Sequence, residues 1–230
     1  MKVIGLIGGM SWESSSEYYR LINQETRKQL GGLNSAKVLM YSVNHHEINE
    51  LEHKDRWAEL IEIMVESARR LEKGGADFIL ICCNAIHKIA EQIQNSIEIP
   101  LIHIADAAAE AVKRARLSSI GLLGAKAVME EEFFKNNLVS ADLKVLIPAE
   151  NDREFINDVI FNQLAYGKIV EESRERTLEI IKRLKTAGSQ GVILGCTELP
   201  LLIREEYSVL PLFDTLRLHA QRAVDLALAN

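Results

Sequence analysis

Two cysteines, Cys83 and Cys196, have the positions in the sequence that best suit proton-transfer chemistry. Each follows a short apolar run of the kind that forms a central strand of a parallel sheet. Ligands of such sheets bind beyond the carboxyl ends of the strands, so each thiol is expected at a ligand-binding edge. A thiol has an ordinary pKa of about 8.5, and both of its protonation states are therefore within reach near neutral pH.

Two thiols that face each other across a bound molecule would form an acid and base pair. One thiolate removes a proton from one face of a carbon atom, the opposing thiol delivers a proton to the other face, and the roles exchange in the reverse direction. The carbanion formed between the two steps needs electrostatic stabilisation, for which backbone N–H groups at helix starts after each cysteine are candidates. The pattern predicts inversion of a small molecule at a carbon atom next to a carboxylate.

The third cysteine, Cys82, is predicted to be a buried core thiol. It precedes Cys83 in a strand, so its side chain points to the other face. An odd number of cysteines, two of them adjacent, does not resemble a disulfide framework. The sequence contains no paired Cys-x-x-Cys elements, and we predict no metal site.

The elements that position these thiols are predicted as alternating strands and helices, which is typical of parallel α/β structure. Strands are predicted over Lys2–Ile7, Lys37–Val43, Asp77–Cys82, Pro100–Ile104, Ser119–Leu123, Lys144–Ile147, Gly191–Leu194 and Leu210–Phe213. Helices are predicted over Glu13–Leu30, Asp55–Lys73, Ala85–Ser96, Val128–Leu138, Arg153–Ala165, Val170–Ala187 and Leu216–Ala229.

Two stretches of the first half of the chain recur in the second half. Ile4–Gly9 resembles Ile120–Ala125 at an offset of 116 residues, and Gly75–Asn84 resembles Gly188–Thr197 at an offset of 113 residues. Two landmarks with nearly the same offset indicate an internal repeat. In this arrangement Cys83 and Cys196 occupy equivalent positions.

The repeat predicts an α/β fold with two pseudo-symmetric lobes, parallel sheets and an active site in the cleft between the lobes. The N-terminal lobe is predicted to contain residues 1–104 plus 212–230 and to carry Cys83. The C-terminal lobe is predicted to contain residues 105–211 and to carry Cys196.

The composition is that of a soluble globular protein that does not bind nucleic acid. The chain of 230 residues is 47% apolar and 26% charged, with a net charge of −6 and no basic stripe. No apolar stretch reaches the ~20 residues that span a bilayer, and no targeting segment is present, so no membrane partner and a cytoplasmic location are expected. The turn at Gly8-Gly9 lacks the pattern and the lysine of nucleotide-binding loops.

Several motifs resemble those of the aspartate/glutamate racemase family, and the resemblance covers essentially the whole chain. They are Gly5–Ser14, Cys83-Asn84 with His87, Gly121–Gly124, Gly195–Glu198, and Pro211–Thr215 with His219-Ala220. The resemblance implies two Rossmann-like lobes, racemisation of a small-molecule amino acid without pyridoxal phosphate or any other cofactor, and commonly a homodimer. It also implies that Cys83 and Cys196 are the catalytic acid and base.

The resemblance further implies which residues bind the substrate. Asn84, Thr197 and the backbone around Met10 would hold the α-carboxylate and amino group. Glu198 and His87 would orient the site. Candidates for binding a side-chain carboxylate are Lys168 and Arg56.

Three alanines depart from the family pattern at positions that would line the substrate. Ala85 stands where the family usually has Thr, and Ala125 and Ala127 lie where the family often has Gly-Thr followed two residues later by Thr-Met. Each lost hydroxyl donor would weaken carboxylate binding by about 0.5–1.5 kcal/mol. The default substrate is aspartate or glutamate, and a broader or shifted specificity is the expected consequence of these alanines.

Two alternatives stay open at this stage. One is a hydantoin racemase or a maleate isomerase-like enzyme with the same lobes, in which a cysteine can act as a nucleophile. The other is a non-catalytic amino-acid-binding protein, because one fold supports many functions. Exchange of the α-proton with solvent would distinguish a racemase from both.

Overall fold

Two parallel sheets organise the computed structural model, which describes residues 1–229. They belong to two units. Unit 1 contains Met1–Ile104 and the segment from His219 onward, and unit 2 contains Ala105–Leu218. The predicted α/β class with two parallel sheets is confirmed.

The sheet of unit 1 has three strands in the order β2-β1-β3. Each neighbouring pair is parallel, since a helical crossover separates the strands along the chain. The predicted strand at Pro100–Ile104 is wrong in extent, because only a single bridge between Ile79 and Leu101 forms before a helix begins at Ile104. The strands are β1 (Ile4–Gly8), β2 (Val38–Ser42) and β3 (Phe78–Ile81).

Helices cover the sheet of unit 1. The first begins after Ser11, whose side chain accepts a hydrogen bond from the Ser14 N–H at 3.3 Å, and it ends at Gly31. The predicted helix Ala85–Ser96 is instead a 3-10 turn over Ala85–Ile89 followed by a short helix, and the helix at His45–His53 was not predicted. The helices are α1 (Trp12–Leu30), α2 (His45–His53), α3 (Trp57–Lys73) and α4 (Ala90–Gln94).

The sheet of unit 2 has four parallel strands in the order β5-β4-β6-β7. They are β4 (Ser119–Gly124), β5 (Lys144–Leu146), β6 (Val192–Gly195) and β7 (Leu212–Asp214). The helices are α5 (Ile104–Arg114), α6 (Lys126–Glu130), α7 (Glu132–Ser140), α8 (Glu150–Asn162), α9 (Glu171–Thr186), α10 (Leu199–Leu202) and α11 (Thr215–Leu228). The last of these carries the chain from unit 2 back into unit 1.

The position of β7 corrects the boundary predicted for the second lobe. The sequence placed residues 212–230 with the N-terminal lobe. In the structure β7 pairs with β6 through Ile193 and Phe213, so unit 2 keeps the chain as far as Leu218. This segment leads into the C-terminal helix, but the hydrogen bonds between β7 and β6 keep it in unit 2.

The two central strand pairs have the same register. Gly5 pairs with Ile79 in unit 1, and Gly121 pairs with Val192 in unit 2. These partners are related by the offsets of 116 and 113 residues found in the sequence. The repeated motifs therefore occupy equivalent places in the two sheets. No helix within residues 1–229 is both long and apolar enough to cross a membrane.

Candidate active site

Cys83 lies in the loop at the carboxyl end of β3. Ile81 pairs with Ile7 of β1, and the N–H of Cys82 donates to the carbonyl of Ile7 at 2.9 Å, so the two loops begin side by side. The Cys83 side chain is half-buried. This places a partly accessible thiol at the edge of the sheet where ligands of parallel α/β proteins bind.

The neighbouring thiol has a different environment. Cys82 is fully buried, and this burial, together with the nearby Cys83, raises the pKa of its thiol. A group that stays protonated in an apolar interior is a poor base and a poor nucleophile. Of the two adjacent cysteines, Cys83 is the one suited to proton transfer.

The loop after β1 is held in a fixed shape beside Cys83. The N–H of Gly9 donates to Ser15 Oγ at 2.8 Å, and that hydroxyl donates to the carbonyl of Ser11 at 2.8 Å. Met10 lies between these two anchor points and is 6% exposed. The loop therefore presents its backbone, rather than a mobile side chain, at this edge of the sheet.

Asn84 has a buried amide with an unusual lack of partners. The side chain is 4% exposed, and neither its oxygen nor its nitrogen has a hydrogen-bond partner within residues 1–229. Leaving a buried polar group unpaired costs about 1–3 kcal/mol, and folded proteins seldom tolerate it without a reason. An amide directly after Cys83 that lacks protein partners is suited to bind a polar ligand.

His87 is directed at the protein rather than at open space. Its Nδ1 lies 2.8 Å from the carbonyl oxygen of Cys83, and its Nε2 accepts a hydrogen bond from the N–H of Ile104 at 3.2 Å. The ring is 2% exposed. Both ring nitrogens are therefore occupied by backbone groups of unit 1.

Cys196 lies at the carboxyl end of β6 in unit 2, and its thiol has a carboxylate neighbour. Cys196 Sγ donates to Glu198 Oε2 at 3.0 Å. Thr197 Oγ1 donates to the same oxygen at 2.7 Å. One carboxylate oxygen thus holds the thiol and the hydroxyl that precede it, and an anion at this distance favours the protonated form of the thiol.

Ala125 lies beside Cys196, at the carboxyl end of β4. Gly124 pairs with Gly195, so the residues that follow each of them share one edge of the sheet. Ala125 is half-buried and makes no side-chain cap for α6, and the amide oxygen of Asn157 instead accepts the N–H of Lys126 at 2.8 Å. Asn157 was not singled out in the sequence, because nothing in its local pattern connects it with β4.

The two predicted side-chain carboxylate binders are surface residues. Arg56 is the N-cap residue of α3, but its side chain makes no hydrogen bond to the helix backbone. Its guanidinium instead forms a bidentate ion pair with Glu59. Lys168 is exposed, and its ammonium lies 5.9 Å from the centre of the Tyr166 ring. The hydrogen bonds described around the two thiols include neither residue.

The half-buried Ala85 opens the 3-10 turn that follows Asn84.

Comparisons with known proteins agree on one family. The model of the Asp/Glu/hydantoin racemase family matches residues 7–223. A crystal structure from Yersinia pestis assigned to the Asp/Glu racemases is 43% identical over 100% of both chains, with a TM-score of 0.95. The structure of an aspartate racemase homologue from Pyrococcus horikoshii is 31% identical over 99% of both chains, with a TM-score of 0.87.

A curated relative that aligns over the whole chain is also named as a racemase. The broad specificity amino-acid racemase RacX of Bacillus subtilis is 22% identical over 99% of both chains. Because the family model spans nearly the whole chain and two solved structures align from end to end, the chain belongs to the Asp/Glu/hydantoin racemase family, a family of isomerases.

Proposed function

We propose that this protein is a cofactor-independent amino-acid racemase in which Cys83 and Cys196 act as paired acid and base. In this mechanism one thiol is directed at each face of the α-carbon of the bound substrate. The observation that carries the proposal is the equivalent placement of the two cysteines. Cys83 follows β3 after one intervening residue, Cys82, and Cys196 directly follows β6. Each of these strands pairs with the first strand of its own unit, in the same register.

The proposed reaction moves one proton in each half. The thiolate of one cysteine takes the α-proton and becomes a thiol, and the electron pair of the broken C–H bond stays on the substrate as a carbanion conjugated with the carboxylate. The other thiol then gives its proton to the opposite face and becomes a thiolate. The substrate is inverted, and the two cysteines have exchanged protonation states.

Glu198 supports the acid form of Cys196. Its carboxylate accepts the thiol proton at 3.0 Å, and a thiolate formed beside it would be repelled. We therefore propose that the resting enzyme holds Cys196 as the thiol and uses Cys83 as the base.

Asn84 supports a polar ligand next to Cys83. Its buried amide offers two N–H donors and a carbonyl acceptor, none of which is paired within the described part of the chain. A substrate with an α-carboxylate and an α-ammonium group would satisfy both kinds of group. We propose that Asn84, the backbone around Met10 and Thr197 bind these groups, as the family resemblance implies.

The substrate class is proposed to be wider than acidic amino acids. Ala85 and Ala125 offer no hydroxyl donor, and the carboxylate of Glu59 already occupies the guanidinium of Arg56. Lys168 remains as a cation for a side-chain carboxylate if its turn is brought to the bound substrate. We propose that acidic amino acids are accepted together with uncharged ones. The name of the Bacillus subtilis relative describes a broad specificity for that protein.

The test is solvent exchange of the α-proton in D2O. Each L-amino acid and its D-enantiomer are incubated with the protein, and NMR follows loss of the α-proton while chiral chromatography follows inversion. We expect both processes for at least one amino acid, with no addition of pyridoxal phosphate. Neither process with any amino acid would refute the proposal and favour a binding protein.

Two single variants test the roles of the cysteines. Cys83→Ala and Cys196→Ala should each abolish inversion, and each should retain exchange of only one enantiomer, the opposite one in the two variants. That result is expected because the remaining thiol still reaches one face. Cys82→Ala is the matched control and should racemise like the wild type. Free racemisation by both single variants would contradict the two-base mechanism.

A further inference from the structure

A chain of hydrogen bonds in unit 1 ends on the backbone of Cys83. His219 of α11 lies 2.8 Å through Nε2 from the carbonyl of Ile102, and His87 accepts the N–H of Ile104 and contacts the carbonyl of Cys83. The segment between these contacts is the last of unit 1 before the chain enters unit 2. Both histidines therefore bond the backbone of this segment, and His87 also connects it with the loop that carries the thiol.

The contacts fix the tautomer of each ring. His87 Nε2 faces an N–H donor and must be the acceptor, so its proton lies on Nδ1 and is donated to the Cys83 carbonyl. His219 Nε2 faces a carbonyl and must carry the proton, so its Nδ1 accepts from the Tyr18 hydroxyl at 2.8 Å. Each neutral ring thus makes one donated and one accepted bond.

Packing restricts the same rings. His87 and His219 are 2% and 0% exposed, and their centroids are 5.8 Å apart in an edge contact. His103 packs against His87 with a centroid distance of 4.6 Å. A buried ring with both nitrogens bonded has one preferred orientation, so the atom to which it donates is held in one place.

We propose that His87, held in its tautomer by Ile104 and backed by His219 and Tyr18, is the positioning residue for Cys83. This inference rests on the proposed function. His87 then acts on the reaction through the Cys83 carbonyl and not through the substrate. A shift of Cys83 by about 1 Å lowers the rate of proton transfer by up to about 100-fold. The effect should fall on one enantiomer, since only one face of the α-carbon depends on Cys83.

The test compares exchange of the two enantiomers in His87→Gln. Glutamine keeps one donor and one acceptor, which preserves folding, but its flexible chain does not fix their directions. The substrate is the amino acid that the wild type exchanges fastest. We expect exchange of the enantiomer that Cys83→Ala fails to exchange to fall about 10- to 100-fold, with the other enantiomer within about twofold of the wild type.

Tyr18→Phe supplies a second measurement with a smaller perturbation. It removes the donor to His219 and should lower exchange of the same enantiomer about two- to fivefold. The matched control is His53→Ala, because the exposed His53 also bonds the carbonyl four residues earlier, that of Asn49, at 2.8 Å. This control should exchange both enantiomers like the wild type.

The outcomes separate the inference from the proposed function. If the two cysteine variants lose opposite enantiomers but His87→Gln loses both equally or neither, the positioning role is overturned and the racemase proposal stands. If the cysteine variants show no division between enantiomers, the two-base proposal itself fails. A selective loss in His87→Gln, repeated more weakly in Tyr18→Phe, supports the positioning role.

Discussion

Acidification is expected to destabilise unit 1 through its buried histidines. Burial, reinforced by the nearby His103, lowers the pKa of His219 to about 3, although its bond to the Ile102 carbonyl opposes the shift. Burial also lowers the pKa of His87, with His103 and His219 acting in the same direction. In the unfolded chain both rings titrate at about 6.5. The unfolded state therefore binds protons first as the pH falls.

The size of the effect follows from this difference. The stabilisation by a neutral buried ring is fully present above pH 6.5 and decreases as the pH falls from that value toward the folded pKa. For each ring that titrates only in the unfolded state, a fall of one pH unit lowers the free energy of unfolding by about 1.4 kcal/mol. Between pH 7.5 and pH 5, His219 alone accounts for a loss of about 2 kcal/mol in the free energy of unfolding.

Urea unfolding followed by tryptophan fluorescence measures this loss for unit 1. Both tryptophans of the chain, Trp12 and Trp57, lie in unit 1 with His219. The free energy of unfolding is determined at several values between pH 7.5 and pH 5 for the wild type and for His219→Gln. The variant should be less stable at pH 7.5, but its dependence on pH should be weaker by about 1.4 kcal/mol per unit below pH 6.5.

The surface variant His53→Ala provides the control, because its ring is exposed. It should keep the pH dependence of the wild type. Equal slopes in the wild type and His219→Gln would refute the reasoning, since they would mean that His219 binds the same number of protons in both states. A slope that increases in the variant would contradict the sign of the linkage.

Four further substitutions test other parts of the structure. Glu198→Gln should raise the rate of iodoacetamide alkylation of Cys196 at pH 7 about fivefold, because a unit negative charge this close to the sulfur disfavours the thiolate by about 1 kcal/mol even in water. Peptide mass spectrometry measures the alkylation rate. An unchanged rate would argue that the Glu198 carboxylate does not hold Cys196 as the thiol. Gly9→Ala should lower the free energy of unfolding by about 2–4 kcal/mol, since its φ is +95° and a Cβ would collide with the backbone oxygen of Val43. Gly31→Ala, at φ +72° with open space around it, should cost less in the same urea experiment. Ala85→Thr should increase kcat/KM for aspartate and glutamate relative to uncharged amino acids by about two- to tenfold, and an unchanged ratio would remove the basis for the broadened specificity.

Local patterns were sufficient to predict the central strands. β1, β3, β4 and β6 are short apolar runs that end in glycine or are followed by cysteine, and a fully buried strand needs little more than this to be recognised. The offsets of the repeat also predict that the two cysteines follow equivalent strands, as they do. The edges of the sheets were harder to predict. Leu101 makes only one bridge, and a short amphipathic segment can form a turn instead of a strand.

The surroundings of the thiols depend on contacts between distant parts of the chain. Tyr18 and His219 are separated by 201 residues, and the sequence near either gives no sign of the other. Asn157 replaces a missing cap at Ala125 from a different helix. The partner of each group depends on how the helices pack, and a single sequence does not contain that information in its local periodicity.

The discontinuity of unit 1 sets an order of events during synthesis on the ribosome. Unit 2 is one uninterrupted segment, Ala105–Leu218, whereas unit 1 needs α11, which is translated after all of unit 2. At about 5–20 residues per second, unit 1 waits on the order of 10 s for its last helix. During that interval His87 lacks His219 as a neighbour. The Cys83 thiol is thus expected to acquire its final environment only when translation is nearly complete.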